Sequence, residues 1–181
     1  MQLNIDIRRP RIGDVEELHR FFKTVITDTF IKEGIGHLLQ DMEDEIETKK
    51  AYLEWDLGSD GDRRYFLIAL HEGKIIGSIE YGPASELISK CTNNELADLN
   101  EVGTVFVLPD YQGMGIGNQL LNEMYRTLRD KGMEEFCLDS GYTNAQKIWK
   151  KKFGEPDYLL EDYWGEGYPQ MIWRIKLADV L

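Results

Sequence analysis

Residues 101–121 read EVGTVFVLPDYQGMGIGNQLL and predict a strand, a turn, a glycine-rich loop and a helix in succession. The β-branched and aromatic run that ends at Leu108 is typical of a buried strand. Pro109 ends this strand because proline has no N–H to donate to a neighbour. From Ile116 onward, apolar residues recur at helical spacing, at Leu120, Leu121, Met124 and Leu128.

The loop before this helix has the composition of a phosphate-binding site. Gly113, Gly115 and Gly117 allow a tight turn and a close approach of the backbone to a ligand. The first N–H groups of a helix have no partner within the helix, and the helix dipole adds a partial positive charge there. We therefore predict that the amides of residues 113 to 118 bind a pyrophosphate.

The spacing of the glycines excludes two common phosphate-binding loops. A P-loop requires Lys-Ser or Lys-Thr directly after its last glycine, and Asn118 stands at the lysine position here. A dinucleotide-binding loop has the pattern Gly-x-Gly-x-x-Gly, whereas this chain has Gly-x-Gly-x-Gly.

The pattern Gln-x-x-Gly-x-Gly, preceded by Val-x-Pro and followed by Leu-Leu, resembles the acetyl-coenzyme A loop of the GNAT superfamily of N-acetyltransferases. The order of the other predicted elements fits the same family over the whole chain. The resemblance implies a mixed α/β, three-layer fold, in which a mostly antiparallel sheet of six to seven strands is flanked by about four helices. It also implies that residues 1–181 form one domain.

Composition and charge restrict the function. The formal net charge of −12 argues against a nucleic-acid partner and favours attraction of a cationic amine. There is no apolar run long enough for a membrane span and no signal peptide, so we expect a cytoplasmic protein. Cys91 and Cys137 form neither a disulfide framework nor a metal motif, and the histidines lack ligand spacing, so we expect no metal.

The remaining elements are predicted from periodicity and turn residues. A short strand at residues 3–7 and a helix from Val15 come before a second helix. The acidic residues of this second helix have two interpretations: a solvated face that includes a Glu45–Lys49 pair, or a wall for a cationic acceptor. A hairpin spans residues 65–81, and a polar insertion at 82–98 contains a short helix near residues 84–89. A strand at Glu135–Asp139, a helix that ends at Gly154 and a closing hairpin follow.

The resemblance assigns the contacts with the coenzyme. It implies that Asn144, at the start of the helix after residue 139, contacts the pantetheine arm, although Asn is also a good helix N-cap. It also implies that a lysine such as Lys150 contacts the 3′-phosphate of the coenzyme. The expected coenzyme-binding residues are Val105, Phe106, Val107, Gln112, Gly113, Met114, Gly115, Ile116, Gly117, Asn118, Asn144 and Lys150.

The resemblance also implies the chemistry: an acetyl group passes directly from acetyl-CoA to a primary amine of a small molecule or peptide. Glu101 is the first candidate for the base that takes the amine proton, and Asp139 is the second. The family often uses a tyrosine on the helix after Asn144 as general acid, but that helix lacks one here, so Tyr142 is a substitute candidate. The departure leaves open a non-catalytic acyl-CoA-binding sensor or interaction module, and the sequence allows a homodimer.

Overall fold

The computed structural model describes residues 3–181, in which seven strands and five α-helices form. The strands are β1 (Asp6–Arg8), β2 (Tyr65–His71), β3 (Lys74–Pro83), β4 (Asn100–Val107), β5 (Glu135–Ser140), β6 (Tyr158–Leu160) and β7 (Gln170–Lys176). The helices are α1 (Val15–Lys32), α2 (Leu39–Ser59), α3 (Glu86–Cys91), α4 (Ile116–Asp130) and α5 (Thr143–Phe153).

The strands form one mixed sheet in the order β1-β2-β3-β4-β5-β7-β6. Of the described ladders, β4 and β5 pair in parallel at Glu101 and Cys137, and the β1–β2, β2–β3, β5–β7 and β6–β7 ladders are antiparallel. This architecture confirms the predicted mixed α/β class and mostly antiparallel sheet. A fifth helix forms because part of the polar insertion folds as α3, two residues later than predicted.

Contacts divide the chain into two compact units, and the first comprises the described residues up to Tyr81 together with Thr104–Met124. Helix α1 packs on β2, where the Phe22 and Phe66 rings lie 6.1 Å apart. Helix α4 packs on β3, since a Cβ on Gly77 would lie 3.0 Å from Leu120 Cδ1. Gly77 pairs with Ala69, which lies three residues from Phe66 and therefore on the other face of β2. Helices α1 and α4 thus cover opposite faces of the strands in this unit.

The predicted hairpin in the first unit is confirmed. His71 pairs with Lys74, which leaves Glu72 and Gly73 as a two-residue loop, and both have positive φ angles of 50° and 79°. Two central residues with positive φ are typical of the turn that matches the twist of hairpin strands. The turn sets the pairing of His71 and Leu70, the register then shifts by one residue between Leu70 and Ala69, and the ladder continues from there to Tyr65 opposite Tyr81.

The second unit comprises Gly82–Gly103 and Tyr125–Leu181. Strand β5 pairs with β7 from Glu135 opposite Lys176 to Ser140 opposite Met171. One face of β5 carries Phe136, which contacts Phe153 of α5 at 6.5 Å between ring centroids. The other face carries Cys137, which is fully buried in a cluster with Ile88, Leu96 and Ile172. The insertion therefore packs on the face of β5 opposite to α5.

Candidate active site

The glycine loop lies exposed at the start of α4, as its sequence predicts. Gly113 and Gly115 have φ angles of 79° and 82°, which residues other than glycine rarely adopt. A Cβ at either position would meet no atom within 4 Å. These two positions need glycine for the shape of the backbone and not for internal packing. Ile116, the first residue of α4, is buried and anchors the loop, while Met114 is 53% exposed. The helix start is thus held open to solvent with the polarity that suits an anion.

Gln112 fixes the loop to its surroundings. Its side-chain amide donates to the carbonyl oxygen of Val107 at 3.1 Å and accepts from Nζ of Lys32, at the end of α1, at 3.3 Å. The residue predicted to contact the coenzyme is thus also a bridge between β4, the loop and α1. Val105, Phe106 and Val107 are half-buried along the last part of β4.

Strand β4 bends at Thr104, which has a φ angle of 50°. A β-branched residue in this region is strained, and such strain persists only where the surroundings determine the conformation. The hydroxyl of Thr104 donates to the carboxylate of Glu80, and its carbonyl accepts from Ser78 Oγ at 2.8 Å. Both partners lie on β3, so two hydrogen bonds hold the bend to the neighbouring strand.

Glu80 is itself part of a buried ion pair. Its carboxylate accepts from Nη1 of Arg64 at 2.8 Å, and the two residues are 1% and 6% exposed. The Arg64 guanidinium lies 3.7 Å from the ring centroid of Tyr52 on α2, and its Nε has no hydrogen-bond partner among the described residues. Sequence reasoning missed this cluster. Its one signal is that Ser78 and Glu80 interrupt an otherwise apolar strand, although such residues are usually exposed.

The two candidate bases lie on one face of the second unit. Glu101 pairs with Cys137 across the parallel ladder, and Asp139 follows Cys137 by two residues, so all three side chains share a face. Burial, reinforced by the charges of Glu101 and Asp139, raises the pKa of the Cys137 thiol to about 12. Cys137 is therefore a core residue and not a nucleophile at neutral pH.

Each carboxylate has a defined hydrogen-bond donor. Glu101 Oε1 accepts from the backbone N–H of Ser85, the N-cap residue of α3, at 2.8 Å. Asp139 Oδ2 accepts from the side-chain amide of Gln170 at 2.9 Å. Glu101 thus helps to hold the insertion, whereas Asp139 is connected to the closing hairpin.

Helix α5 departs from the sequence expectation at its start. Tyr142 is the N-cap residue and Asn144 is the second helical residue, so the alternative role of Asn144 as N-cap is wrong. Asn144 is exposed, and Tyr142 is half-buried with its N–H donated to Ser140 Oγ at 3.2 Å. Lys150 Nζ lies 3.7 Å from a carboxylate oxygen of Glu155. Asn144 and Lys150, the predicted coenzyme contacts of this region, thus lie on α5, and Tyr142, the candidate acid, directly precedes it.

Between residues 3 and 181, no three His, Cys, Asp or Glu side chains are grouped so that they could hold a metal ion. None of the helices in that range combines the length and apolarity needed to cross a bilayer.

A family model and two curated proteins match the chain. The model of the acetyltransferase (GNAT) family matches residues 30–154, more than half of the chain. Mycothiol acetyltransferase of Cellulomonas flavigena is 32% identical over 85 residues, which are 46% of this chain and only 24% of that protein. The ribosomal protein bS18 alanine N-acetyltransferase of Haemophilus influenzae is 25% identical over 114 residues, covering 61% of this chain and 70% of that protein.

Solved structures share the fold. A GNAT-family acetyltransferase from Desulfovibrio desulfuricans superposes with a TM-score of 0.74 at 16% identity, covering 96% of this chain and 99% of that chain. The PaiA N-acetyltransferase of Thermoplasma acidophilum, solved in complex with coenzyme A, gives a TM-score of 0.66 at 19% identity and covers 96% and 100%.

Proposed function

Since the chain belongs to the GNAT acetyltransferase family, we propose that it is an acetyl-CoA-dependent N-acetyltransferase. The acceptor is a primary amine of a small molecule or a peptide, which attacks directly while both substrates are bound. The observation that carries this proposal is the exposed glycine loop at the N-terminus of α4, with positive φ at Gly113 and Gly115. The family match includes this loop.

The residues of the loop fit a diphosphate. Backbone N–H groups at a helix start are donors for phosphate oxygens, and residues 113 to 115 and 118 of this loop are exposed. The net charge of −12 repels an anionic ligand, so the loop must hold the diphosphate by direct hydrogen bonds from its backbone. Asn144 and Lys150 of α5 would add contacts to the pantetheine arm and the 3′-phosphate.

When bound, acetyl-CoA supplies an acetyl group activated as a thioester. We assign the backbone N–H near Val107 as the hydrogen-bond donor to the thioester carbonyl oxygen. Fixed donors aimed at this oxygen stabilise the negative charge that develops on it. The bend at Thr104 supports this assignment, because it changes the course of β4 three residues before Val107. The Gln112 amide donates to the Val107 carbonyl, which belongs to the next peptide unit, and thus restrains the backbone beside this N–H.

The sequence ranks Glu101 first as the base, but we assign proton removal from the amine to Asp139 and keep Glu101 as the alternative. Both carboxylates lie on the face of β4 and β5 that carries Cys137. Glu101 also holds the backbone of Ser85, a structural role that accounts for its presence. Asp139 precedes Asn144 by five residues, and the family resemblance makes it a candidate base. Tyr142 is the candidate that returns a proton to the leaving thiolate.

The proposal is tested by turnover. The chain is incubated with acetyl-CoA and a panel of amines that includes polyamines, aminoglycosides, amino acids and peptides with N-terminal alanine, and the release of free thiol is followed. We expect turnover with at least one amine. Asp139→Asn should lower kcat by roughly 100-fold or more, while Glu101→Gln should have a smaller effect and leave coenzyme affinity unchanged. The reverse order of the two losses would assign the base to Glu101.

A second function is favoured by one feature. Helix α5 carries no tyrosine, the residue that the family often uses as general acid. A non-catalytic acyl-CoA sensor would bind coenzyme without releasing thiol on any amine. That result would overturn the enzymatic proposal and keep the assignment of the loop.

A further inference from the structure

A chain of hydrogen bonds leads from an exposed aromatic loop to Asp139. The aromatic loop, residues 161–168, joins β6 to β7, and its Trp164 side chain is 57% exposed. The indole Nε1–H of Trp164 donates to Gln170 Oε1 at 2.8 Å, and Gln170 Nε2 donates to Asp139 Oδ2 at 2.9 Å. Gln170 is 2% exposed, so the amide in the middle of this chain is shielded from water.

The chemistry of the partners fixes the orientation of the Gln170 amide. An indole N–H can only donate, and a carboxylate can only accept. The amide oxygen must therefore face Trp164 and the NH₂ group must face Asp139. Reversing the amide would leave both contacts repulsive, so Trp164 determines that a donor is directed at Asp139.

The surrounding backbone is shaped to hold this amide. A Cβ on Gly141 would lie 2.7 Å from Trp164 Nε1 and 2.8 Å from Gln170 Oε1, so a side chain there would displace the two groups from each other. Gln146, which is 5% exposed, donates to the carbonyls of Ser140 at 2.9 Å and Pro169 at 2.8 Å. These bonds join the end of β5 to the residue before Gln170.

We propose that Gln170 is a positioning residue that, with Trp164 behind it, orients the carboxylate of Asp139 for proton transfer and keeps it charged. The inference rests on the proposed function, with Asp139 as the base. The donated N–H fixes the direction of Oδ2 and favours the ionised form. Trp164 extends this control to the surface, so that a change at the aromatic loop reaches Asp139 through one buried amide.

Three other titratable side chains near this face carry the same charge as Asp139 or have contacts of their own. Glu101 of β4 lies on the same face and would disfavour the charged form of Asp139. Arg174 of β7 is opposite Cys137, but its guanidinium donates to Glu135 at 2.9 Å. Tyr158 of β6 donates to Glu95 of the insertion.

The test is Gln170→Met, which keeps the length of the side chain and removes both polar ends. We expect the titration midpoint of the Asp139 carboxyl carbon, followed by ¹³C NMR, to rise by about one pH unit, because the hydrogen bond from Gln170 is lost. The midpoint of the acid limb in the pH profile of kcat/KM should rise by the same amount. We also expect kcat to fall roughly tenfold while the KM for acetyl-CoA stays unchanged. Gln40→Met is the matched control, since it breaks a 2.8 Å amide–carboxylate bond to Asp44 on the exposed face of α2.

Trp164→Phe keeps the proposal testable if Gln170→Met does not fold, because Trp164 is exposed. It should move both pH measurements in the same direction by a smaller amount. An Asp139 midpoint or an acid limb unchanged in the folded variants would overturn the inference while wild-type turnover upholds the proposed function. Absence of wild-type turnover on every amine would instead refute the proposed function, and this inference with it.

Discussion

Replacing Glu80 by glutamine removes the negative charge from the buried pair beneath the bend of β4. Glutamine has nearly the same size and can still accept one hydrogen bond, so the change does not create a cavity. It leaves the guanidinium of Arg64, which is 6% exposed, without its anion. The contact of the guanidinium with the Tyr52 ring remains, but it does not replace the lost charge. Arg64 Nε has no hydrogen-bond partner among the described residues even in the wild type.

The expected destabilisation is about 3 kcal/mol, because removing one member of a buried ion pair leaves an uncompensated charge. Glutamine retains the bond to Thr104 or to Arg64 but not the full strength of both, so the loss lies at the lower end of the range for such changes. That loss is a large fraction of the stability of an ordinary domain, about 5–15 kcal/mol. Because the bend of β4 depends on the same carboxylate, kcat should fall as well.

Urea unfolding followed by circular dichroism measures this loss. Glu135→Gln is the matched control, since Glu135 pairs with Arg174 at 2.9 Å but both side chains are partly exposed, at 23% and 44%. Such a pair contributes less than about 1 kcal/mol. The double variant Glu80→Met with Arg64→Met should lose less than the sum of the two single methionine variants, because no charge is left buried.

Two results would refute this reasoning. One is a loss for Glu80→Gln as small as that for Glu135→Gln. The other is additivity in the double-mutant cycle, which would mean that Glu80 and Arg64 do not interact in the folded protein.

Two further predictions concern ionisation. Cys137, with a pKa of about 12, should not react with a thiol reagent at pH 8 until the protein unfolds, whereas the half-buried Cys91 should react first; equal rates in the folded protein would contradict its burial. The Arg8 guanidinium, which donates to Asp14 at 2.8 Å, lowers the pKa of that carboxyl, so its stabilising effect is complete above about pH 4 and is lost as the pH falls through the folded pKa. The difference in unfolding free energy between wild type and Asp14→Asn should therefore shrink on acidification, and a constant difference from pH 7 to pH 2 would show that the pair does not stabilise the fold.

Local patterns were sufficient for much of the fold. The strand, loop and helix of residues 101–121 were predicted because proline and glycine mark their boundaries and the apolar spacing changes from strand to helix. The Glu45–Lys49 pair is present at 3.4 Å, and the acidic residues Asp41, Glu43, Asp44 and Glu47 are exposed, which supports the solvated-face interpretation of α2. Both features depend on residues close in sequence.

The parts that sequence reasoning missed depend on residues far apart. Arg64 and Thr104 meet at Glu80 from positions 16 and 24 residues away, and no local spacing signals that contact. Gln170 and Asp139 are 31 residues apart and meet through the register of β5 and β7. The error at Asn144 has a local cause, since Tyr142 takes the extended N-cap conformation that Asn or Ser usually occupies.

Calorimetric titration with coenzyme A tests most directly whether the glycine loop holds the diphosphate. Wild type should bind, and Gly115→Val should weaken binding roughly tenfold or more, because valine strains a φ of 82° and adds a side chain where the loop is open. Gly132→Val is the control, since Gly132 also has a φ of 82° and open surroundings but follows the other end of α4. Binding by Gly132→Val with loss in Gly115→Val is the predicted result. Equal affinity of Gly115→Val and wild type would contradict it.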